Sequence, residues 1–369
     1  MYKLIAQEDG NLFFSPYSIT AALGMTAAGA VGSTEQEIRD ALQVTLAGDA
    51  FDQALNSTDL SLHEHSDNTD GITLRIVNST WMQTGWKFRI GYLNHLSQYY
   101  GAGVNMLDFA ADPENCRTII NDWVADQTND KIPDLLPAGS LSNQTVLVLT
   151  NAIYFLGDWL YSFNPEKTHE SIFTLRDEHT IETPMMYFSD PGDKVTMDYS
   201  RIGKVRALDF PYRGDRLAMT VLLPDEGEFD TFESSLTTET IDDLVEALDA
   251  ESLTVSLPKF TFTSNSLSLK EELKTLGMKH AFGDDSTDFS GIDGSKMLYV
   301  SDVLHKAFIA VDEEGTEAAA ATAVVIEYKS FDPDAPVFTV NRPFIFLIRD
   351  KQTGTILFMG RILNPSEES

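Results

Sequence analysis

Residues 313–340 restrict the fold of this chain more than any other segment. Between Thr316 and Glu327 the even-numbered positions carry only uncharged side chains, whereas both charges, Glu317 and Glu327, fall on odd-numbered positions. Alternation with a period of two predicts a strand with one buried face. The run Ala318–Ala321 has a poor strand propensity. A segment that must slide into a narrow slot explains this run, and an alanine-rich helix followed by a loop is the alternative.

The residues that follow this alternation have the character of an exposed loop. Tyr328, Lys329 and Ser330 come first, and Pro333 and Pro336 follow shortly after. Proline lacks a backbone donor and marks turns and loops. One segment is therefore built both to be exposed and to become a strand, which an ordinary fold does not require.

The net charge and the cysteine count limit which partners and which kinds of site this protein can have. The chain has 369 residues with 26 Lys and Arg against 57 Asp and Glu, a formal net charge of −31. Nucleic acids and anionic membranes bind clusters of basic residues, so neither is expected as a partner. Cys116 is the single cysteine, which excludes an intramolecular disulfide and a thiolate zinc cluster. The most apolar long stretch, Thr145–Leu160, is too short to span a membrane.

Helix signals concentrate in the first half of the chain. Ser15 followed by Pro16 is a favourable helix start. The next residues, Ile19–Val31, are small or apolar on every face, which predicts a buried helix. Thr34 and Glu37 have the spacing of a capping box, in which each side chain accepts from the other residue's backbone. A second helix is therefore expected to begin there.

The acidic stretch Val44–Gly71 is polar and predicts only helix remnants and loop. His63, His65, Asp67 and Asp70 are metal ligands by type, but their surroundings favour solvated loop residues, so no metal and no cofactor is expected. The chain contains no Gly-x-Ser-x-Gly, Cys-x-x-Cys or phosphate-binding glycine loop. An enzyme is therefore not expected.

Strand patterns dominate the second half and the middle of the chain. Ile72–Gln83 alternates, and Val146–Leu149 with Ile153–Leu156 forms a nearly continuous apolar run typical of a central strand. Phe344–Ile348 and Thr355–Met359 are two apolar strands joined by a turn-rich connection. Because no linker separates helices from strands, we expect one mixed α+β domain.

Seven motifs in order over essentially the whole chain resemble the serpins, the serine protease inhibitors, and suggest a prokaryotic inhibitory member. The motifs are Asn11–Ile19, Thr150–Phe155 with Trp159, Leu257–Lys259, His305–Ala307, Asp312–Ala318, Asn341–Phe344 and Phe358–Pro365. The resemblance implies a single serpin domain over residues 1–369. It also implies three β-sheets, about eight to nine helices, a first helix truncated at the N-terminus and an exposed reactive loop at about 313–340.

The resemblance also implies a mechanism. Serpins are suicide substrates: a protease cleaves the reactive loop, and the loop then inserts as a new strand into the main sheet and traps the acyl-enzyme. Insertion requires a small, proline-free hinge, and this chain matches that requirement, whereas a non-inhibitory binding or carrier protein on the same fold is the alternative. The hinge residues are Glu313, Gly315, Thr316, Glu317, Ala318, Ala319, Ala320 and Ala321.

The cleaved bond follows from the spacing usual in inhibitory members. Fourteen residues on from Gly315 lies Lys329, so the reactive bond is expected at Lys329–Ser330. Lys at this position implies a trypsin-like serine protease, whose specificity pocket contains a carboxylate. Tyr328 and Phe331 are alternative bait residues if the register differs.

Two further sets of residues match sites that control insertion in the family. Ser15, Ser18, Asn151 and His305 match the shutter, the polar cluster under the centre of the sheet. Trp159, Lys259 and Glu313 match the breach, where the loop first enters the sheet, and Glu313 could pair with Lys259.

The remaining expectations concern partners and location. The acidic region Asp52–Asp70 argues against activation by heparin. We expect a monomer that forms a covalent acyl complex with its protease and is liable to polymerise by insertion of one molecule's loop into another's sheet. An extracellular location is expected because most proteases worth inhibiting at a Lys bond act outside cells, although no leader is visible and a cytoplasmic protein remains the alternative.

Overall fold

The computed structural model describes residues 1–188, 195–316 and 336–367. The α-helices in this part of the chain are α1 (Tyr2–Ile5), α2 (Pro16–Ala27), α3 (Ser33–Ala41), α4 (Ala50–Asp67), α5 (Ile90–Tyr100), α6 (Pro113–Gln127), α7 (Phe229–Ser235), α8 (Thr238–Glu246), α9 (Lys270–Thr275) and α10 (Ser290–Asp293). The first nine strands are β1 (Leu12–Phe14), β2 (Ile72–Gln83), β3 (Gly103–Leu107), β4 (Leu147–Asp158), β5 (His169–Thr174), β6 (Thr180–Tyr187), β7 (Val195–Ile202), β8 (Val205–Pro211) and β9 (Leu217–Pro224). The others are β10 (Asp249–Pro258), β11 (Phe260–Thr263), β12 (Leu267–Ser268), β13 (Leu304–His305), β14 (Phe308–Val311), β15 (Gly315–Thr316), β16 (Val337–Thr339), β17 (Phe344–Asp350) and β18 (Ile356–Ile362).

A six-stranded sheet, here called the main sheet, carries the candidate site. Its order is β11-β14-β15-β4-β2-β3. Strands β2 and β4 pair antiparallel over their whole length, from Ile72 opposite Gly157 to Met82 opposite Leu147. The apolar run that predicted a central strand is thus confirmed, because β4 lies in the interior of this sheet. The two-residue strand β15 separates β14 from β4.

A ten-stranded sheet packs behind the main sheet, and β12 and β13 form a third sheet. In the ten-stranded sheet β17 and β18 form the hairpin expected from their two apolar runs. Its inner face joins the main sheet in one core, where Phe13 stacks on Phe346 and Phe358, and Phe155 contacts Tyr212. Aromatic side chains of this kind bury large apolar areas, so the two sheets are held face to face.

Helix α2 lies against the main sheet near the middle of β4. Ser15 caps it by accepting from the Ser18 backbone N–H, and Pro16 occupies its first turn, as expected from the sequence. Most of its residues are buried on all sides, including Ile19, Leu23 and Met25. A helix apolar all round belongs in the interior, which places polar Ser15 and Ser18 beneath the sheet.

Two local expectations from the sequence are wrong. Thr34 and Glu37 do not form a capping box, because α3 begins after Gly32 without a side-chain cap. Instead Glu37 accepts from the backbone N–H groups of Lys279 and His280, both at 2.7 Å. Because these two N–H groups, which are distant in the chain, occupy the Glu37 carboxylate, it does not bond to the backbone at the start of α3.

The region Val44–Gly71 is also more ordered than expected. Helix α4 occupies 18 residues of it, and His63, His65 and Asp67 lie on this helix rather than in a loop. Its buried residues are Asp52 and Leu62. Because the buried face contains a carboxylate, the apolar period that would predict a helix is weak.

The fold class expected from the sequence is confirmed as the mixed α and β architecture with three sheets. Ten α-helices appear in the described residues, against about eight to nine expected, and α1 and α10 have only four residues each. In the same part of the chain, no helix is both long and apolar enough to cross a membrane.

Candidate functional site

The first part of the site is a turn that leads into β15. The Asp312 carboxylate accepts from the backbone N–H groups of Glu314 at 2.9 Å and Gly315 at 3.2 Å. The Asp312 N–H donates to the Gly315 carbonyl at 3.0 Å, which closes the turn. β15 then pairs with β4 on one side and β14 on the other, with Thr316 opposite both Gly157 and Val311. The start of β15 is therefore held from both edges.

Trp159, Lys259 and Glu313, which the sequence assigned to the breach, lie together at this turn. Trp159 is almost fully buried, stacks on Tyr212 with ring centroids 4.7 Å apart, and donates its indole N–H to the Asp312 carbonyl at 3.0 Å. The Lys259 ammonium lies 2.6 Å from the Glu313 carboxylate. Glu313 is thus paired, as expected from the sequence.

The Glu313 carboxylate is buried rather than on the surface, since its side chain is 10% exposed against 38% for that of Lys259. Burial by itself raises the pKa of this carboxyl, but hydrogen bonds from the Lys259 ammonium and the Thr168 hydroxyl, the latter at 2.7 Å, more than offset it. The net pKa lies below its ordinary value. Glu313 is therefore an anion that ties the turn to Lys259, between β10 and β11, and to Thr168, just before β5.

Thr316 and Gly315 settle which face of β15 is buried. The Thr316 hydroxyl lies 2.7 Å from the Tyr212 hydroxyl, and both side chains are buried in the core between the sheets. A Cβ atom on Gly315 would lie 2.0 Å from the Gly157 carbonyl oxygen, so only glycine fits there. The even-numbered residue of β15 faces the core, as the sequence alternation predicted for Thr316.

Below β15 the main sheet contains a slot. Within the described residues, the edge of β4 that faces away from β2 pairs only with β15, at Gly157 and Asp158. A cavity of about 410 Å³ lies between residues 147–151 of β4 and the segment 297–305, and side chains of α2, including Leu23, line it from beneath. An unpaired strand edge with a cavity beside it is a place where another strand can be added.

Ser15, Ser18, Asn151 and His305, which the sequence assigned to the shutter, form one hydrogen-bonded cluster beside the slot. The Ser15 backbone N–H donates to His305 Nε2 at 3.0 Å, and the Ser15 hydroxyl donates to the Leu357 carbonyl at 2.6 Å. The Ser18 backbone N–H donates to the Ser15 hydroxyl, and the Ser18 hydroxyl donates to the Asn151 side-chain oxygen. The cluster thus links α2 to strands on both sides of the slot.

His305 is neutral in this cluster. Its side chain is buried, and burial lowers the pKa of its imidazole from the ordinary 6.5 to about 4. Because Nε2 accepts the Ser15 N–H, the other ring nitrogen, Nδ1, carries the proton. Protonation of Nε2 would remove this acceptor and introduce a buried charge.

Sequence reasoning missed three members of the polar network. Asn151 donates its side-chain amide to Asn78 at 2.5 Å, Asn78 donates to the Tyr100 carbonyl at 2.9 Å, and the Tyr100 hydroxyl donates to the Asp52 carboxylate. Burial, with the Asp52 charge beside it, raises the pKa of Tyr100 far above its ordinary value. Asn78 could have been found, because an asparagine within an apolar strand requires a partner.

Several sequence-predicted site residues lie outside the described residues. These are the proposed reactive bond, its alternatives and the later part of the hinge, namely Lys329, Ser330, Tyr328, Phe331, Glu317, Ala318, Ala319, Ala320 and Ala321. Of the hinge, Glu313, Gly315 and Thr316 are described. In the described ranges, no group of three or more His, Cys, Asp or Glu side chains could hold a metal ion.

Comparison with known proteins identifies the family. The model of the family Serpin (serine protease inhibitor) matches residues 1–365, and the chain belongs to that family. It is 38% identical to a serpin-like protein of Thermococcus kodakarensis over 369 residues, which are 100% of this chain and 84% of the relative. It is 35% identical to the antithrombin-III of Mus musculus over 366 residues, which are 97% of this chain and 77% of the relative.

Solved structures show the same fold. The chain matches thyroxine-binding globulin in complex with thyroxine with a TM-score of 0.84 and 28% identity, covering 99% of this chain and 96% of the other. It also matches Serpin48 of the insect Tenebrio molitor, described as a highly specific serpin, with a TM-score of 0.84 and 31% identity, covering 98% of this chain and 94% of the other. The solved structures similar to this chain thus include a ligand-binding protein as well as a serpin.

Proposed function

We propose that this protein inhibits a trypsin-like serine protease by inserting its cleaved reactive loop into the slot of the main sheet. The observation that carries the proposal is β15, which already lies between β14 and β4 in the register of an incoming strand. The slot continues from β15 along the unpaired edge of β4. An extension of β15 needs no new strand to be nucleated.

The register of β15 predicts where each residue of the loop would lie after insertion. Gly315 pairs with Asp158 and Thr316 with Gly157, so continuation places Thr322 opposite Asn151 and Ile326 opposite Leu147. The even-numbered residues would face the core on the side of Thr316, and Glu317 and Glu327 would face away from it. The charge pattern of the loop therefore agrees with the phase set by β15.

The chemistry requires only the protease's own machinery. Its serine oxygen attacks the Lys329 carbonyl carbon, an ester forms, and the bond to the Ser330 nitrogen breaks. Ser330 leaves as an amine and takes up the proton lost by the serine hydroxyl. Water would normally hydrolyse the ester, and insertion must draw the loop into the sheet before this happens.

The magnitudes favour trapping once insertion is complete. About a dozen new backbone hydrogen bonds at ~1 kcal/mol each contribute on the order of 10 kcal/mol, and burial of Val324 and Ile326 adds ~1.5–3 kcal/mol each. A displacement of the protease's catalytic groups by about 1 Å costs roughly a hundredfold in rate. Insertion thus has enough free energy to halt deacylation.

Incubation with trypsin tests the proposal. We expect an adduct that survives denaturing electrophoresis and a released peptide that begins at Ser330. The variant Lys329→Phe should lose the trypsin adduct and form one with chymotrypsin. Cleavage of the wild-type chain with full recovery of trypsin activity would contradict inhibition, and release of a peptide that begins elsewhere would shift the bond to Tyr328 or Phe331.

A pair of loop variants separates cleavage from trapping. Thr322→Glu would put a charge on the core-facing side of the inserted strand without adding a trypsin site, so trypsin should cut this variant without being trapped. Ala323→Glu places the same side chain on the opposite face and should still trap. If both variants trap equally, the register taken from β15 is wrong.

A non-inhibitory binding or carrier role is the second candidate, favoured by the match to thyroxine-binding globulin bound to thyroxine. The small, proline-free residues Gly315–Ala321 speak against it, because a carrier has no need of a hinge that can enter a sheet. The trypsin experiment decides between the two roles.

A further inference from the structure

The outer edge of β3, the edge that faces away from β2, has no strand beside it in the described residues. The Leu107 carbonyl accepts from the Thr84 N–H at 2.8 Å, so the backbone groups of Leu107 point towards β2. Consecutive residues of a strand direct their N–H and C=O groups to opposite edges. The backbone groups of Val104 and Met106 therefore point outwards, where the described part of the chain offers them no partner.

The side chains of the same two residues are apolar and exposed. Val104 is 45% exposed and Met106 is 50% exposed. They lie opposite Thr80 and Met82 in the parallel register with β2, and both of those side chains are buried. The buried face of the main sheet thus continues onto β3 without cover. An exposed apolar strand at the end of a sheet is a site where another strand can pair.

The outer edge of β3 also lacks the charge that usually protects such a strand. Residues 101–107 contain no charged side chain, although the chain has a net charge of −31. By contrast, β5, at one end of the ten-stranded sheet, carries Glu170. Charged residues on an end strand discourage pairing. Two copies of so acidic a chain repel each other over most of their surface, so an uncharged edge is where they could approach.

We propose that two copies of this chain associate through their β3 edges, antiparallel about a twofold axis, so that their main sheets become one continuous sheet. Val104 of one copy would pair with Met106 of the other, and the twofold axis repeats this pair. Each pair exchanges two backbone hydrogen bonds, which satisfies the outward N–H and C=O groups of both residues. Their apolar side chains would also contact each other across the pair.

The pairing does not depend on the proposed function. The slot lies beside β4, on the far side of β2 from β3, so it stays open in the dimer. Because the contact is short, the association is weak. We expect dimers at protein concentrations on the order of 0.1 mM, and at lower concentrations the monomer expected from the sequence.

Sedimentation velocity over a range of protein concentrations measures the association. The dimer fraction should rise between about 0.15 M and about 1 M NaCl, because salt screens the repulsion between two acidic copies. Val104→Lys places a charge on the outer edge of an exposed position, and we expect it to raise the dissociation constant at least about tenfold.

Ile172→Lys is the matched control, because Ile172 is 62% exposed on β5 and the variant gains the same charge. It should dimerise at least as well as wild type, since it reduces the net negative charge equally. Equal weakening by both variants, or by neither, would overturn the proposal.

Hydrogen exchange resolved to single residues locates the contact. The amides of Val104 and Met106 should exchange more slowly in the dimer than in the monomer, whereas the Asn105 amide, which points towards β2, should not change. A wild-type chain that stays monomeric up to about 1 mM in both salt concentrations would overturn the proposal. So would a dimer in which the Val104 and Met106 amides exchange as fast as in the monomer. Association only into large species that persist on dilution would indicate loop insertion between molecules and would also overturn it.

Discussion

The two ends of the slot are held in opposite ways. At the upper end, β15 and the turn before it are fixed by Trp159, by the pair of Lys259 and Glu313, and by pairing to β14 and β4. At the lower end, residues 147–151 of β4 have no backbone partner among the described residues on that edge, and side-chain hydrogen bonds of the shutter lie beside them. A strand that enters this sheet would extend β15, which is already ordered. Only the residues that follow β15 would then lose conformational entropy.

Under the proposed function, this difference would let the upper end determine the register of the inserted strand and the lower end determine how readily the slot accepts it. Packing and an ion pair hold the first, and a small hydrogen-bonded cluster holds the second. Substitutions at the upper end should therefore cost more folding stability than substitutions at the lower end, with the buried imidazole of His305 as the strongest element of the latter.

The largest effect is expected from Trp159→Ala. The side chain is buried, stacks on Tyr212 and donates to Asp312, so its removal leaves a cavity and an unpaired carbonyl. We expect a loss of about 3–5 kcal/mol in the free energy of unfolding, measured with urea. Trp123→Ala, which removes a half-buried tryptophan on α6, should cost less. An equal loss in the free energy of unfolding for both variants would contradict the view that the upper end is held more firmly than other buried sites.

The next largest effect is a pH dependence of folding stability that arises from His305. Its pKa is about 4 in the folded chain against an ordinary 6.5, so between these values the unfolded chain binds the proton and the folded chain does not. Stability is complete above about pH 6.5 and falls as the pH drops towards 4, by about 3 kcal/mol. His305→Gln should flatten this part of the profile in urea unfolding between pH 7 and 4. An unchanged slope would show that carboxylates alone cause it.

A smaller effect is expected from Lys259→Met, which leaves the buried Glu313 carboxylate with the Thr168 hydroxyl as its remaining side-chain partner in the described residues. Because Lys259 is more than a third exposed, solvent screens the pair, and we expect a loss of about 1–2 kcal/mol. The pKa of Glu313 is lowered, so this stabilisation is complete above the ordinary pKa and is lost as the pH falls through the lowered one. A double-mutant cycle with Glu313→Gln measures the pair. A coupling energy near zero would contradict a stabilising interaction between Lys259 and Glu313.

The smallest effect is expected from Ser18→Ala at the lower end. The Ser18 hydroxyl bonds to Asn151 across the boundary between α2 and β4, and its loss should cost about 1 kcal/mol. Thr20→Ala is a suitable control, because the Thr20 hydroxyl donates to the Pro16 carbonyl within the same helix. Urea unfolding of both variants would show whether the bond between elements matters more than the local one.

The sequence predicted the elements whose partners are near in the chain or whose burial is continuous. Strand β4 and the hairpin of β17 and β18 came from unbroken apolar runs. Helix α4 was missed because Asp52, on its buried face, is paired with Tyr100 of α5. The cap at Thr34 failed for a related reason, since Glu37 is bound by backbone more than 200 positions away.

The candidate site was predicted through the family resemblance rather than from spacing alone. The structure places Ser15, Ser18, Asn151 and His305 in contact and does the same for Trp159, Lys259 and Glu313. What neither pattern nor resemblance supplied is the path through Asn78 to Asp52, because it uses a backbone carbonyl and residues on three elements. Partners of that kind are determined by tertiary packing.

The phase of β15 has a consequence for how such a protein can change its target in evolution. Since Thr316 already faces the core, a single-residue insertion or deletion between Thr316 and Glu327 would turn every later side chain of the proposed inserted strand to the opposite face and bury Glu327. Under the proposed function, a substitution at Lys329 would alter the protease that is recognised and leave that phase intact. New specificities could therefore arise in this scaffold by substitution at the reactive residue, whereas the number of residues between Thr316 and that residue could not change.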